Sequence, residues 1–226
     1  MSRVLLEVAV ESFESAVAAE EDGADRLELC SRLDVGGLTP SADLFRRVRA
    51  TVSVPIVAMI RPRPGHFFYS GIELEGMLEL IDAFRPFAPA GFIFGALDSE
   101  GSIDQVACAR LVDRCGGIAA IFHRAWDEHP RSLADLETLI DLGFARLLTS
   151  GCAPAAILGV PNIRAWNDAA AGRMAILPGA GINPGNATAV VRKTGCRQIH
   201  GTFNNCVREV RAVLDQLAGA GSSASG

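Results

Sequence analysis

The sequence predicts an α/β protein of the TIM (β/α)8 barrel class, built as a single domain. Eight short runs of apolar and β-branched residues alternate with eight longer amphipathic stretches along the 226 residues, a pattern typical of parallel βα units. The repeat length is about 27 residues, which suits one βα unit of such a barrel. With 49% hydrophobic residues, the chain can bury a substantial core. We therefore expect the barrel to occupy residues 1–217, and the Gly- and Ser-rich segment 218–226 to be a disordered tail.

The predicted strands are short and apolar on both faces. This is typical of barrel strands, because one face packs against the helices and the other faces the barrel interior. In chain order, they lie at residues 4–10, 26–30, 56–61, 91–97, 119–123, 146–150, 175–178 and 198–201. A helix is predicted after each strand, at about residues 12–22, 41–50, 70–85, 103–115, 131–142, 154–171, 184–194 and 206–217. The turns from helix to strand are short and often carry glycine, such as Gly23 and Gly143, as helix C-termini prefer. The longer loops, where function is expected, then follow the strands.

Charge and hydropathy exclude two classes of partner. Lys and Arg number 21 against 26 Asp and Glu, a net charge of −5, which lacks the basic excess that nucleic-acid binding needs. No apolar run reaches the ~18–20 residues that cross a bilayer, and the N-terminal segment has no signal-peptide pattern. We therefore expect a cytoplasmic protein that binds neither nucleic acid nor membrane. Six cysteines without a CxxC pair predict reduced thiols.

Polar side chains concentrate where the predicted strands end. The active site of a TIM barrel lies at the C-terminal ends of its strands, and the two-residue period of a strand predicts which side chains point inward. A buried carboxylate needs a cation, so Arg61 is the expected partner of Glu7 and Glu28. A structural ion network is the alternative to a functional site, but all four histidines fall on strand ends or on loops that follow strands, which favours function. The candidates are Glu7, Glu28, Cys30, Arg61, Arg63, His123, Arg124, Asp127, Thr149, Ser150 and His200.

Two loops at the predicted mouth have distinctive sequences. The segment 61–69, RPRPGHFFY, combines two prolines with three consecutive aromatic residues ending at Tyr69, and it is predicted to form a rim or lid. Its aromatic residues are expected to fill a subunit contact, to cover the mouth, or to touch a ligand. The loop after strand 7 carries Gly179 and Gly181. Their backbone N–H groups suit phosphate or another anion, although glycine also serves tight turns.

Cysteine positions separate candidate metal ligands from packing residues. Cys30, Cys152 and Cys206 fall on the functional side of the predicted barrel. Strands 2 and 6 lie opposite each other in an eight-stranded ring, so Cys30 and Cys152 are not expected to share a metal. Thiolate sulfur is a ligand that selects Cu(I), and a thioether or an imidazole is the expected second ligand beside Cys30, with Met59 at the end of strand 3 as the candidate thioether. An inert thiol is the alternative interpretation for each cysteine.

Seven motifs spread over the chain together resemble one known family. They are LEVAV at 6–10, GADRLELCSRLDVGGLTPS at 23–41, VAMIRPRPGHFFYS at 57–70, GFIFGALDSEGSID at 91–104, FHRAWD at 122–127, LLTSGC at 147–152 and LPGAGI at 177–182. They are similar to the CutC family, named for copper homeostasis. The resemblance implies a cytoplasmic, usually oligomeric TIM barrel that handles copper and binds Cu(I) through cysteine. The residues at the family's motif positions are Glu7, Glu28, Cys30, Arg61, Arg63, Tyr69, His123, Arg124, Asp127, Thr149, Ser150 and His200.

Two positions depart from the motifs of that family. The first strand of the family commonly reads LEVCV, whereas residue 9 here is Ala, so the thiol that would stand beside Cys30 is missing. The loop after strand 3 commonly reads RPRGGDF, and here His66 replaces the acid. A lost thiol and a gained imidazole imply either a changed site or no site.

Two functions follow as hypotheses, and a barrel without chemistry is the third alternative. As a copper homeostasis protein, the chain would bind copper, Cu(I), at the barrel mouth through Cys30. As an enzyme, it would act on a small anionic or phosphorylated metabolite, and the single lysine, Lys193, disfavours a Schiff-base mechanism. Its acid and base groups would be Glu7, Glu28, His123 and Asp127. Its substrate would be held by Arg61, Arg63, Tyr69, Arg124, Thr149, Ser150, Gly179, Gly181 and His200. The predicted partners are thus a copper ion or a small anionic metabolite, and further copies of the chain in a homo-oligomer, a dimer or larger.

Overall fold

Eight parallel strands, each followed by a helix, enclose a common interior in the computed structural model, which describes residues 3–203 and 206–220. The strands are β1 Leu5–Val10, β2 Arg26–Leu29, β3 Ile56–Met59, β4 Gly91–Phe94, β5 Ala120–Phe122, β6 Arg146–Thr149, β7 Ala175–Pro178 and β8 Gln198–Gly201. They pair through hydrogen bonds in the order β7-β6-β5-β4-β3-β2-β1-β8. At the seam, β7 lies beside β8, so the ring is nearly closed. The predicted TIM barrel is confirmed.

The helices follow the predicted amphipathic stretches. They are α1 Phe13–Glu21, α2 Ala42–Thr51, α3 Gly71–Phe84, α4 Gln105–Cys115, α5 Leu133–Asp141, α6 Val160–Ala170, α7 Ala187–Thr194 and α8 Val207–Ala220. Four begin at a serine whose side chain accepts a hydrogen bond from the backbone N–H three residues on: Ser12, Ser41, Ser70 and Ser132. Such capping satisfies N–H groups that a helix leaves unpaired at its start. These helices therefore begin where the sequence predicts them.

Three helix boundaries differ from the prediction by three residues or more, and one of them is the start of α7, at Ala187 instead of residue 184. Helix α6 begins at Val160 instead of residue 154, because the preceding segment returns to the end of β6. A Cβ at Gly159 would lie 1.9 Å from the carbonyl oxygen of Ser150, so only glycine permits this approach. Helix α8 continues to Ala220, so residues 218–220 are helical, and their assignment to a disordered tail is wrong. The rest of the predicted tail, residues 221–226, lies outside the described residues.

The strands present different faces to the helices and to the barrel interior, as their two-residue period requires. The outer faces are apolar, with Leu6, Val8 and Leu27 in the main hydrophobic core. The inner faces combine a second apolar cluster with buried polar side chains. The inner apolar cluster is Cys30, Val57, Met59, Ile93, Ile121, Leu148 and Leu177. Buried polar residues of the interior and its mouth are Glu7, Arg26, Glu28, Arg61, His123, Arg146, Gln198 and His200.

No helix in the described ranges is both long enough and apolar enough to cross a membrane.

Candidate functional site

A cavity of about 340 Å³ opens at the C-terminal ends of the strands. We call it the mouth cavity; its lining includes Glu28, Met59, Arg61, Phe67, His123 and His200. Its volume lies at the lower end of the range of about 300–1,000 Å³ that small-molecule sites occupy. The cavity therefore has room for a small ligand, at the place where barrel enzymes and binding proteins hold theirs.

Below the mouth cavity, a group of buried polar side chains fills the barrel interior. We call this group, Glu7, Arg26, Arg146 and Gln198, the floor. The Glu7 carboxylate forms an ion pair with Arg26, lies 3.5 Å from Arg146 Nη1, and is 2.9 Å from Nδ1 of His200, above the floor. Arg26 also donates a hydrogen bond of 2.9 Å to Gln198 Oε1. The expectation that Arg61 would partner Glu7 is therefore wrong.

The electrostatics of the floor keep Glu7 ionised. Burial alone would raise the pKa of this carboxyl, but Arg26, the hydrogen bond with His200 and Arg146 outweigh burial and lower the pKa to about 2. Arg146 reaches across the barrel because β4 has Gly91 at this level. A Cβ on Gly91 would lie 3.0 Å from Arg146 Nη2 and 2.6 Å from Ile121 Cδ1.

Glu28 lies one inward position above Arg26 on β2 and faces the mouth cavity. It is 3% exposed, and its Oε2 atom has no hydrogen-bond partner in the described structure. Burial and the negative charge of Glu7 raise the pKa of Glu28 to about 7, although His200, Arg146 and Arg26 oppose the rise. Arg61 is not its partner either. The two buried glutamates thus differ in protonation, because the pKa of Glu7 is lowered and the pKa of Glu28 is raised.

His200 joins the floor to the mouth cavity. Its Nδ1 atom is held by Glu7 Oε1, while the residue lines the cavity. Burial lowers the pKa of His200, but the negative charges of Glu28 and Glu7 outweigh burial, so the pKa is raised overall. Glu7, Glu28 and His200 could each offer one ligand atom, all within 4.8 Å of one another. Two oxygens and an imidazole nitrogen do not form a soft Cu(I) donor set.

Arg61 lines the mouth cavity and holds together the loops that follow β2 and β3. Its Nη1 atom donates to the carbonyl oxygens of Val35 at 2.9 Å and Gly37 at 3.1 Å, and its Nη2 to that of Gly65 at 3.0 Å. The guanidinium carbon lies 4.8 Å from the centre of the Phe67 ring. The backbone N–H of Arg61 bonds to Thr39 Oγ1 at 2.8 Å, because β3 ends at Met59. This early strand end turns the side chain toward the loops and away from Glu7 and Glu28.

His123 is buried in the cavity lining, where the Phe67 ring contacts both its imidazole and the Arg61 guanidinium. Its Nδ1 accepts a hydrogen bond of 3.3 Å from the backbone N–H of Ala125, and its Nε2 has no partner in the described structure. The Phe67 ring lies 4.7 Å away, edge-on. Burial and the neighbouring charge of Arg61 lower the pKa of His123 to about 3. The imidazole is therefore neutral at physiological pH.

Asp127 organises the loop after β6 from outside the cavity lining. Its Oδ1 atom accepts hydrogen bonds from Thr149 Oγ1 at 2.6 Å and the Cys152 N–H at 3.0 Å. Its Oδ2 atom accepts from the Ser150 N–H at 2.9 Å and from Arg124 Nε at 3.0 Å. Of these residues, only Arg124 also lines the mouth cavity. The structure thus brings four predicted site residues together as a loop anchor.

The rim segment 61–69 is held by Arg63. Its side chain pairs with Glu73 and donates to the carbonyl oxygens of His66 at 2.8 Å and Phe68 at 2.7 Å. Its guanidinium carbon lies 5.2 Å from the Tyr69 ring centre, and Tyr69 is buried while Phe68 is 47% exposed. Neither Arg63 nor Tyr69 lines the mouth cavity. Phe67 is the aromatic residue of this segment that reaches it.

The glycine loop after β7 satisfies many of its own polar groups. The Gly179 N–H donates to the Thr149 carbonyl oxygen at 2.9 Å, and the Gly181 carbonyl oxygen accepts from Asn186 Nδ2 at 2.9 Å. Ala180, between the two glycines, lines the mouth cavity. Gly179 packs against Leu148 and His200, where a Cβ would lie 2.7 Å from Leu148 Cδ1. In the loop after β8, residues 204–205 lie outside the described residues.

The cysteines of the functional side have separate surroundings. Cys30 is fully buried, and its Sγ lies 3.5 Å from the Val10 carbonyl oxygen. Burial, with the charges of Glu28 and Glu11, raises the pKa of Cys30 well above its usual range. Cys152 Sγ lies 3.4 Å from the His129 carbonyl oxygen, in the loop region after β5. Cys206 immediately precedes α8 and is half-buried.

Arg26, Arg146 and Gln198 are the buried interior residues that sequence reasoning missed. Each stands at the first position of its strand, whereas a TIM-barrel active site is expected at the C-terminal ends of the strands. The inward period that selects Glu28 also selects Arg26, and a charged residue inside an apolar strand was the available signal.

Comparison with known proteins shows the family to which the chain belongs. A family model, the CutC family, matches residues 4–205. The chain belongs to the CutC family. It is 43% identical over 196 residues to the copper homeostasis protein cutC homolog of Homo sapiens, covering 87% of this chain and 72% of the human protein. It is 40% identical over 205 residues to a CutC family protein of Caulobacter vibrioides, covering 91% and 83%.

A solved CutC structure supports the same assignment. The crystal structure of CutC from Streptococcus agalactiae matches with a TM-score of 0.85 and 30% sequence identity, covering 88% of this chain and 99% of that one. The resemblance predicted from sequence motifs is therefore confirmed, and the chain is a member of a family named for copper homeostasis.

Proposed function

We propose that this CutC-family protein binds Cu(I) at the barrel mouth, with Cys30 and Met59 supplying the ligands. The supporting observation is the placement of two sulfur-containing side chains around one point beside Gly37. A Cβ on Gly37 would lie 3.4 Å from Cys30 Sγ and 3.2 Å from Met59 Cε. Thiolate and thioether sulfur are the soft ligands that favour Cu(I). Met59 also lines the mouth cavity, which gives an ion a route to this pair.

Two features of the pair make the proposed site weaker than a two-thiolate centre. Burial keeps the pKa of Cys30 high, so the thiol carries a proton at neutral pH that Cu(I) must displace. Ala9 pairs with Glu28 across β1 and β2 and offers no second thiol there. We therefore expect one Cu(I) per chain, bound with modest affinity that increases as the pH rises.

An anaerobic competition titration against a chromogenic Cu(I) chelator tests this function. Cys30→Ser and Met59→Leu should each weaken Cu(I) binding by at least about tenfold, or about 1.4 kcal/mol. Cys108→Ser is the matched control, because Cys108 is a buried cysteine on α4 that packs in the outer core. Binding that is unchanged by Cys30→Ser would contradict the proposed site.

A further inference from the structure

Arg61 is a buried cation without an anionic partner. It is 5% exposed, yet its hydrogen bonds go to three carbonyl oxygens, and no carboxylate in the described ranges forms an ion pair with it. Its Nε atom has no hydrogen-bond partner there. A buried charge is costly unless an opposite charge compensates it. Because Arg61 lines the mouth cavity, a bound anion could supply the missing charge.

Glu28 and His200 give the same cavity a second recognition element. Glu28 presents an unpartnered Oε2 atom at 3% exposure. Glu7 engages Nδ1 of His200, which leaves Nε2 as the ring nitrogen for a ligand. A carboxyl oxygen and an imidazole nitrogen suit a hydroxyl group, which can donate one hydrogen bond and accept another. The cavity thus combines a site for negative charge with a site for a hydroxyl.

The arginines argue against a cation in the same place. Glu7, Glu28 and His200 are close enough to surround a metal ion, but Arg26 and Arg146 already compensate Glu7. A cation bound between Glu7, Glu28 and His200 would sit near these two guanidinium groups, and like charges repel strongly in a buried site. The balance of charge favours an anion.

We propose that the mouth cavity binds a small hydroxylated organic anion, with the anionic group against Arg61 and a hydroxyl against Glu28 and His200. The anionic group is a carboxylate or a phosphate ester, since a guanidinium recognises both. The cavity of about 340 Å³ limits the ligand to a small metabolite. This site does not depend on Cys30, so it stands or falls separately from Cu(I) binding.

Calorimetric titration of the chelator-treated protein with three probes tests the proposal. The probes are glycerate, glycerol 3-phosphate and glycerol, which share a hydroxylated three-carbon frame and differ in the anionic group. We expect saturable binding of at least one of the two anions, at least about tenfold tighter than glycerol. The preferred anion identifies the group that Arg61 receives. Absence of binding by both anions at millimolar concentrations, or equal binding of glycerol, would overturn the proposal.

Variants separate this site from general effects of charge or folding. Arg61→Gln and Glu28→Ala should each weaken binding of the preferred anion by about tenfold or more. Arg46→Gln is the charge-matched control, because Arg46 is an exposed arginine on α2. If Arg61→Gln fails to fold, Glu28→Ala carries the test. Anion binding retained in Glu28→Ala would refute the site, whereas retention in Cys30→Ser is expected and distinguishes it from the copper proposal.

Discussion

The floor and the mouth cavity are adjacent levels of one barrel, yet they treat buried charge in opposite ways. In the floor, Glu7 meets Arg26 and Arg146, and His200 adds a hydrogen bond. In the mouth cavity, Glu28 Oε2, Arg61 Nε and His123 Nε2 are buried without hydrogen-bond partners in the described structure. Buried polar groups in folded proteins are nearly always paired. Arg146 Nη1 of the floor also has no hydrogen-bond partner in the described structure, but it lies 3.5 Å from the Glu7 carboxylate, so each charged group of the floor has an opposite charge beside it. The contrast supports a stabilising role for the floor and is consistent with the proposal that the mouth cavity receives a ligand.

Replacing each of the two glutamates by glutamine tests this comparison most directly, and Glu7→Gln has the larger expected effect. Glu7→Gln removes the negative charge between two buried guanidinium groups, and breaking a buried ion pair from one side typically costs about 3–5 kcal/mol. We expect the free energy of unfolding to fall by an amount in this range. Chemical denaturation measures it, with the exposed Glu14→Gln on α1 as control. A loss no larger than that of the control would mean that the floor does not stabilise the barrel.

The fold could be predicted from the sequence more completely than the site. Strands and helices were predictable because their periods are local properties of the chain, as the agreement at β7 and β8 illustrates. The start of α6 was not, because it depends on the contact between Gly159 and Ser150. That contact brings together residues separated along the chain, and no local period encodes it.

For the site, the inward period and the rule of strand ends identified Glu28, His123 and His200 correctly as cavity residues. The predicted partner of Glu7, Arg61, was wrong. Arg61 lies beyond the end of β3, where the alternation of side chains along a strand no longer determines the direction in which a side chain points. Arg146 reaches Glu7 from across the ring, and such a contact exists only after the barrel has closed. The sequence therefore identified some of the residues that line the mouth cavity, whereas Arg63, Tyr69 and Asp127 lie outside its lining, and it did not show which residues are paired.

The buried, neutral imidazole of His123 predicts that the stability of the folded protein depends on pH. Because the pKa of His123 is about 3 in the folded protein and its ordinary value is 6.5, the unfolded chain binds a proton at a higher pH than the folded one does. Stability that is present above pH 6.5 is then lost as the pH falls toward 3, at about 1.4 kcal/mol per unit. Subtracting the profile of His123→Gln from that of the wild type should isolate this slope. Parallel profiles between pH 7 and 4 would show that His123 does not titrate as its burial requires.

At pH 5, Glu28→Gln should have the smallest effect of the three variants, and its dependence on pH should be opposite to that of Glu7→Gln. At pH 5, Glu28 is mostly protonated in the fold because its pKa is raised to about 7, and Gln has the shape of the protonated acid. We expect the unfolding free energy at pH 5 to change by no more than about 1 kcal/mol, since no hydrogen bond to Oε2 is lost. As the pH rises from 4.5 to 7, the unfolded wild type releases this proton before the folded form does, so the wild type loses stability relative to the variant. Denaturation at pH 5 and pH 8 measures both effects, and Glu7→Gln at the same two values is the matched comparison. A large loss at pH 5 would mean that Glu28, like Glu7, holds the barrel together, and the distinction between floor and mouth would then fail.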